Sequence, residues 1–379
     1  MRVLHLVDGY PPAGGCAGRW CQGLSRALVR RDVAVQVLSA TSQPDGSELA
    51  SGGGDIDEGV RVQRVVMRAP LYLLRRLRPG FRTRPPRPWS GALRGLLVRA
   101  AAAHDVVHMH GVVPPHAWWA VLGCRLARRP LVYSPGLHDR RALTASVCGL
   151  VSRADAVVVF HPGEGDWLRG AGSRVTRLEE MDDPGPPPGT RGVPAWRSIL
   201  GLAEGDRLVV FPGRAAWDSG AVTFIDAVRL LRLGGLPVVP AIVNPGAIDD
   251  WLRRLWQASR VPIVGIVVAD AAERASLLAA ADIVVVPADS CAGTVPEGWA
   301  AETPVLAPER ESLRVVDGAL RVFPAGDPLA LAREMGRLLH SSTARRDAAQ
   351  GEQRTAAGWS FVAARMEEVY RALVGARRF

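Results

Sequence analysis

Short apolar runs recur along the chain, broken by polar and glycine-bearing stretches, and helical spacing fills many of the intervals. In the first half, the runs at 3–7, 33–38, 60–66, 106–108, 131–134, 156–160 and 175–178 predict strands. Apolar residues every three or four positions predict helices over 16–30, 115–128 and 141–152. The run Asp182-Asp183-Pro184-Gly185-Pro186-Pro187-Pro188-Gly189 can continue neither a helix nor a central strand, so it predicts a linker. Beyond it the alternation resumes, with strands expected at 208–211, 238–243, 261–264, 283–286 and 305–306. Helices are expected at 221–233, 272–280, 328–339 and 361–373. Buried strands alternating with helices imply mostly parallel sheets covered on both faces. The expected fold is α/β, with two doubly wound domains joined by one linker and facing across a cleft that their strand ends enclose.

Size agrees with this division, because 379 residues exceed what one ordinary core holds. A formal charge of +10 points to anionic partners. All of the Lys+Arg charge is arginine, which excludes a Schiff-base lysine, a lysine general base and a P-loop lysine. Cys16, Cys21, Cys124, Cys148 and Cys291 are scattered without metal-ligand spacing, the pattern of reduced thiols in a cytosolic protein. The first strand begins without a signal-peptide pattern, and no apolar run predicts a membrane span.

The first strand runs straight into Asp8-Gly9-Tyr10-Pro11-Pro12-Ala13-Gly14-Gly15, and a helix pattern follows. Paired glycines let the main chain approach a ligand closely, and a helix start offers N–H groups and partial positive charge to a phosphate. An ordinary tight turn would use the same residues.

Four segments in order resemble the group 1 glycosyltransferases, the retaining family with the GT-B fold of two facing Rossmann-like domains. They are Tyr10-Pro11-Pro12-Ala13-Gly14-Gly15, Asp105-Val106-Val107-His108-Met109-His110-Gly111, Val210-Phe211-Pro212-Gly213-Arg214, and Ala281 to Pro287 running on through Asp289 and Glu297 to Thr303-Pro304-Val305. The resemblance implies an acceptor-side domain over 1–183, a linker at 184–196 and a nucleotide-sugar domain over 197–358. It also implies a closing helix at 359–376 that packs back on the first domain. By the same resemblance, Gly14 and Gly15 contact the donor diphosphate and Arg214 pairs with it, as a forked, permanently charged guanidinium can. His110 lies near the transferred sugar, while His108 is expected on the opposite face of the strand, packed. Asp289 contacts the sugar, Glu297 holds the ribose, and the main-chain groups of Gly293, Thr294 and Val295 meet the phosphates. Glu297→Ala is accordingly expected to weaken nucleotide binding far more than it alters folding. His138, beyond another strand end, is a weaker acceptor-side candidate. The chain departs from the family at Ser219, a donor-site position where a lysine is usual, at Asp289 for a glutamate, and at Glu302 for a glycine.

Residues 68–99 hold many arginines and no acid, interleaved with leucines and aromatics. The segment reads equally as contact with an anionic membrane surface or as a solvated loop. No nucleic-acid motif accompanies it. The expected activity is retaining transfer from a nucleotide sugar to a hydroxyl of a lipid-linked, saccharide or small-molecule acceptor. It needs no cofactor and no metal, in the cytoplasm or at the inner membrane face. The alternatives are a GT-B-fold binding subunit that has lost turnover and, behind it, a sugar-nucleotide epimerase.

Overall fold

The computed structural model describes residues 1–11, 16–41, 55–66, 91–111, 116–137, 143–160, 162–181, 196–213, 215, 219–243, 250–268, 271–286, 295, 297–298, 301–309, 320–341 and 358–377. The chain divides into two compact units, one of Met1–Met181 with Trp359–Phe379, the other of Asp182–Gly358. Residues 182–195 lie outside the described residues; of the linker expected at 184–196 only Trp196 is described, and it opens a short helix.

In the first unit, β1 (Arg2–Val7), α1 (Cys16–Val29), β2 (Ala34–Thr41), β3 (Asp55–Asp57), β4 (Val60–Val66), α2 (Gly91–Ala103) and β5 (Val106–His110) come in turn. Then follow α3 (His116–Leu126), β6 (Leu131–Ser134), α4 (Ala145–Val151), β7 (Ala156–Val159), α5 (Pro162–Gly170) and β8 (Leu178–Glu180). One sheet takes the order β3-β4-β2-β1-β5-β6-β7-β8. All of its pairings are parallel except β3 with β4. The strand order reverses between β1 and β5, and ligands of such sheets bind beyond the strand ends at that point.

Alternation along these strands splits the core in two. Leu4, Leu6, Val107, Met109, Leu131 and Tyr133 pack beneath Leu97, Ala120, Val121, Leu150 and Leu168 of α2 to α5. On the other face, Val3, Val7, Val35, Val37, Val106 and Val132 meet α1 and the C-terminal helix (Trp359–Ala376). Trp20, Cys21, Leu24, Ala27 and Leu28 supply α1's buried stripe; Val362, Ala363, Met366, Val369 and Tyr370 supply that of the C-terminal helix. These spacings put each set on one helical face. Gly23 leaves room for the Trp359 ring, which an added Cβ would meet at 2.3 Å. Ion pairs join the same helix to the unit: Arg31 with Glu367 at 2.8 Å, Arg365 with Glu179 at 3.0 Å and Arg377 with Asp155 at 2.6 Å.

The second unit holds α6 (Trp196–Ile199), β9 (Arg207–Phe211), α7 (Ala221–Leu233), β10 (Val238–Val243), α8 (Asp250–Ser259) and β11 (Val264–Ile266). It continues through α9 (Ala271–Ala280), β12 (Ile283–Val285), β13 (Val305–Pro308), β14 (Arg321–Phe323) and α10 (Pro328–His340). Its sheet, β11-β10-β9-β12-β13-β14, is parallel throughout and reverses between β9 and β12. α10 starts cleanly because Pro328 occupies its first turn and the Asp327 carboxylate accepts the Leu329 and Ala330 N–H groups, both at 2.9 Å.

Some elements differ from the sequence expectation. β3, β14, α2, α5, α6 and α8 were not anticipated, and the strands expected at 175–178 and 261–264 lie about three residues later as β8 and β11. Of the basic segment, residues 67–90 lie outside the described residues, and its end forms α2. Among the described residues, no helix is long and apolar enough to cross a membrane.

Candidate functional site

In the first unit the topological switch point carries three histidines. β1 and β5 pair with His5 opposite His108 and Val7 opposite His110. A strand repeats every two residues, so His108 and His110 share a face, and their ring centroids lie 4.0 Å apart. The expectation that His108 points away from His110 is therefore corrected, although His108 is indeed packed. All three rings are buried under α1 and the C-terminal helix.

Each ring is held differently. His108 Nδ1 meets the Tyr370 hydroxyl at 2.6 Å, and its Nε2 meets Ser134 Oγ at 2.7 Å. His5 Nδ1 meets His110 Nε2 at 2.8 Å, with the Cys21 thiol 3.7 Å from the same His5 nitrogen. Among the described residues, His5 Nε2, His110 Nδ1 and Trp20 Nε1 have no hydrogen-bond partner. An unpaired buried polar atom costs roughly 1–3 kcal/mol. Burial pushes His5 down to about 3, with a smaller contribution from His104, and holds His108 and His110 well below the usual histidine range. At neutral pH these are neutral imidazoles, suited to fixed hydrogen bonds rather than to donating a proton from an imidazolium.

Ligating atoms of His5, Cys21 and His110 lie within 4.8 Å of one another, which raises the question of an ion. Two imidazole nitrogens on one tetrahedral ion stand about 3.3 Å apart. The observed 2.8 Å is a hydrogen-bond distance. Neither ring passes its other nitrogen to a carboxylate or carbonyl among the described residues, as metal-bound imidazoles do. The cluster is a hydrogen-bonded one.

The strand ends around it are tightly specified. Gly111 takes φ +71 just after His110 and donates its N–H to Ser134 O at 2.8 Å. Glu164 at the start of α5 is fully buried and accepts N–H groups of Leu137 (2.7 Å) and Phe160 (3.1 Å), which ties together the exits of β6 and β7. Burial outweighs these donors and pushes its carboxyl up to about 7.

In the second unit, the exit of β9 is held by Arg274 of α9. Its guanidinium donates to the Glu297 carboxylate at 2.8 Å and to Pro212 O at 3.2 Å, with both charged partners buried. Such a pair contributes little net stability against an apolar equivalent, yet losing one partner strands a buried charge. Ser219 is fully buried before α7, its hydroxyl accepting the Ala221 N–H at 3.3 Å.

Known proteins match this arrangement. A family model described as "Glycosyl transferases group 1" matches residues 206–341. A D-inositol 3-phosphate glycosyltransferase of Streptosporangium roseum is 30% identical over 327 residues, covering 74% of this chain and 72% of the relative. The chain belongs to the group 1 glycosyltransferases. A second D-inositol 3-phosphate glycosyltransferase, from Salinispora tropica, is 27% identical over 413 residues, covering 94% and 81% of the two chains. Among solved structures, Anabaena HepE in complex with UDP and glucose superposes with a TM-score of 0.72 at 16% identity, over 98% of this chain and 100% of that one. Sucrose-phosphate synthase from Thermosynechococcus elongatus gives 0.70 at 20% identity, over 99% and 100%. The fold is GT-B, with two Rossmann-like units.

Against this identity the expected site residues of the glycosyltransferase divide. His110 ends β5 inside the histidine cluster; Ser219, Val295 and Glu297 are buried in the second unit. Gly14, Gly15, His138, Arg214, Asp289, Gly293 and Thr294 lie outside the described residues. Because Glu297 is paired to Arg274 in the interior, Glu297→Ala removes a buried ion pair as well as any ligand contact. Glu302 occupies φ +54, a left-handed conformation that suits the glycine usual in the family. His5, Glu164 and Arg274 escaped the sequence reading. Their signal is a polar residue at an interior position of an otherwise apolar strand or helix face.

Proposed function

We propose that this glycosyltransferase moves a sugar, with retention of configuration, from a nucleoside diphosphate to an acceptor hydroxyl. The anomeric carbon–oxygen bond to the diphosphate breaks and the acceptor oxygen attacks from the same face. Its proton passes to the departing phosphate oxygen, and the nucleoside diphosphate is released. Gly14, Gly15, Gly293, Thr294 and Val295 contribute main-chain donors to the diphosphate, and Arg214 contributes fixed charge as the leaving group develops. Asp289 and His110 address the sugar, Glu297 the ribose, and Ser219 the donor side without a charge. The acceptor is a polyol, saccharide or lipid-linked hydroxyl, the first favoured by the named activity of the two curated relatives. No cofactor or metal takes part. The enzyme works in the cytoplasm, and residues 68–99 touch the anionic inner membrane face.

The observation that carries this reading is the Arg274–Glu297 pair at the β9 exit. It holds a carboxylate in one orientation at the second unit's topological switch point, within the region matched by the family model. The HepE complex with UDP and glucose supports a nucleotide-sugar donor for a chain of this fold. Calorimetric titration with UDP, GDP, ADP and their sugar conjugates tests it: one conjugate binds and is slowly hydrolysed. Ser219 favours a second reading, since its buried neutral hydroxyl replaces the family's lysine. A subunit without turnover would leave the whole panel silent.

A further inference from the structure

On the β1 face that carries Val3 and Val7, position 5 holds a histidine whose Nε2 has no hydrogen-bond partner among the described residues. An apolar side chain there would remove that orphan but take from His110 Nε2 its partner among the described residues, so the reason for a histidine at position 5 lies in His110. What His5 does have is one bond to His110, the ring nearest the strand end. The two rings are nearly parallel, 15° between planes, and His108 and Trp20 enclose His110 further, at 4.0 and 5.5 Å between centroids. His110 thus has one nitrogen committed to His5 and one uncommitted.

Which nitrogen carries the proton follows from the neighbours. Burial pushes the Cys21 thiol up, so it remains S–H, and it lies 3.7 Å from His5 Nδ1. That thiol and a protonated His110 Nε2 can both point at a single lone pair on His5 Nδ1. The reverse assignment would turn the thiol hydrogen away from His5 to Ser25 Oγ, the longer of its two contacts at 3.9 Å.

We propose that His5 is a positioning residue which, by accepting a hydrogen bond from His110 Nε2, holds His110 in one tautomer with the Nδ1 lone pair free to accept from a substrate hydroxyl. This rests on the reading that His110 addresses the transferred sugar.

The test uses the full chain labelled with 15N-histidine, whose eight histidines are few enough to assign by substitution. Long-range 1H–15N spectra at pH 7.5 report the tautomer directly. In the wild type, His110 carries its proton on Nε2; in His5→Phe the ring changes tautomer or averages between the two. His5→Gln, whose amide oxygen can accept the same bond, restores the wild-type pattern. Hydrolysis of UDP-glucose, UDP-N-acetylglucosamine, GDP-mannose and ADP-glucose is followed in parallel. For the donor turned over, kcat falls at least tenfold in His5→Phe with KM within threefold, and His5→Gln recovers most of kcat. If His5→Phe fails to fold, His5→Leu takes its place under the same criteria. An unchanged His110 tautomer, or kcat within twofold of wild type while His110→Asn is inactive, overturns this inference alone. Full turnover by His110→Asn overturns the underlying reading and this inference with it.

Discussion

Acidification from pH 7.5 to 5.5 should weaken the first unit through its buried histidines. In the unfolded chain each imidazole has a pKa of about 6.5 and takes up most of a proton over this range. In the folded unit His5 stays neutral down to about 3, and His108 and His110 are likewise held neutral by burial. The unfolded state then binds more protons, so stability is intact above about pH 6.5 and declines below it, for His5 by about 1.4 kcal/mol at pH 5.5. His108 and His110 act in the same direction. Glu164 acts in the opposite sense. Its folded pKa of about 7 lies above the unfolded value, so its contribution grows as pH falls and offsets about 2 kcal/mol. The balance between the buried imidazoles, His104 included, and Glu164 sets the shift in melting temperature. Calorimetry at pH 7.5, 6.5 and 5.5 on wild type, His5→Phe and Glu164→Gln measures it. His5→Phe should lose less stability on acidification than wild type by about 1.4 kcal/mol, and Glu164→Gln should lose more by about 2 kcal/mol. Equal pH slopes in all three proteins would refute the claim that these groups are held in their neutral forms.

Four further outcomes are expected. Arg274→Leu should cost about 3–5 kcal/mol in denaturant unfolding because the buried Glu297 carboxylate loses its guanidinium partner, whereas Arg274→Leu/Glu297→Leu should fall within about 1.5 kcal/mol of wild type. Equal losses in the single and double variants would show that the pair is not coupled. Glu302→Gly should raise stability by up to about 1 kcal/mol by relieving the left-handed backbone, as read from urea midpoints. Gly23→Ala should lower stability by about 1–3 kcal/mol and alter the near-ultraviolet tryptophan signal, since the new methyl meets the Trp359 ring. Treatment with EDTA should leave donor hydrolysis unchanged; loss that added magnesium or manganese restores would refute metal-independent transfer.

Much of the fold was legible because its strands are continuous apolar runs. β1, β2, β4, β6, β9, β10 and β13 announce themselves by composition, and two reversals of strand order then fix where each sheet can bind a ligand. β3 was hidden since its three residues, Asp55-Ile56-Asp57, form an edge with no apolar alternation. α2 was hidden by the arginines that precede it. At the site, His110 and Glu297 could be read from motif spacing, but their surroundings could not. His5 looks like an accident in an apolar strand until the β1–β5 register sets it beside His108 and within reach of His110. Arg274 looks like a solvated helix residue until the α9 face turns it inward toward Glu297. The mistaken face of His108 came from misapplying a period of two that the sequence itself states.

The C-terminal helix has a consequence for biosynthesis. Residues 359–376 complete the core of the first unit, yet they are translated after the whole of the second. On the ribosome, then, the segment made first cannot mature first. Its imidazole-bearing surface waits for Tyr370 while the later-made unit already has every strand of its own sheet.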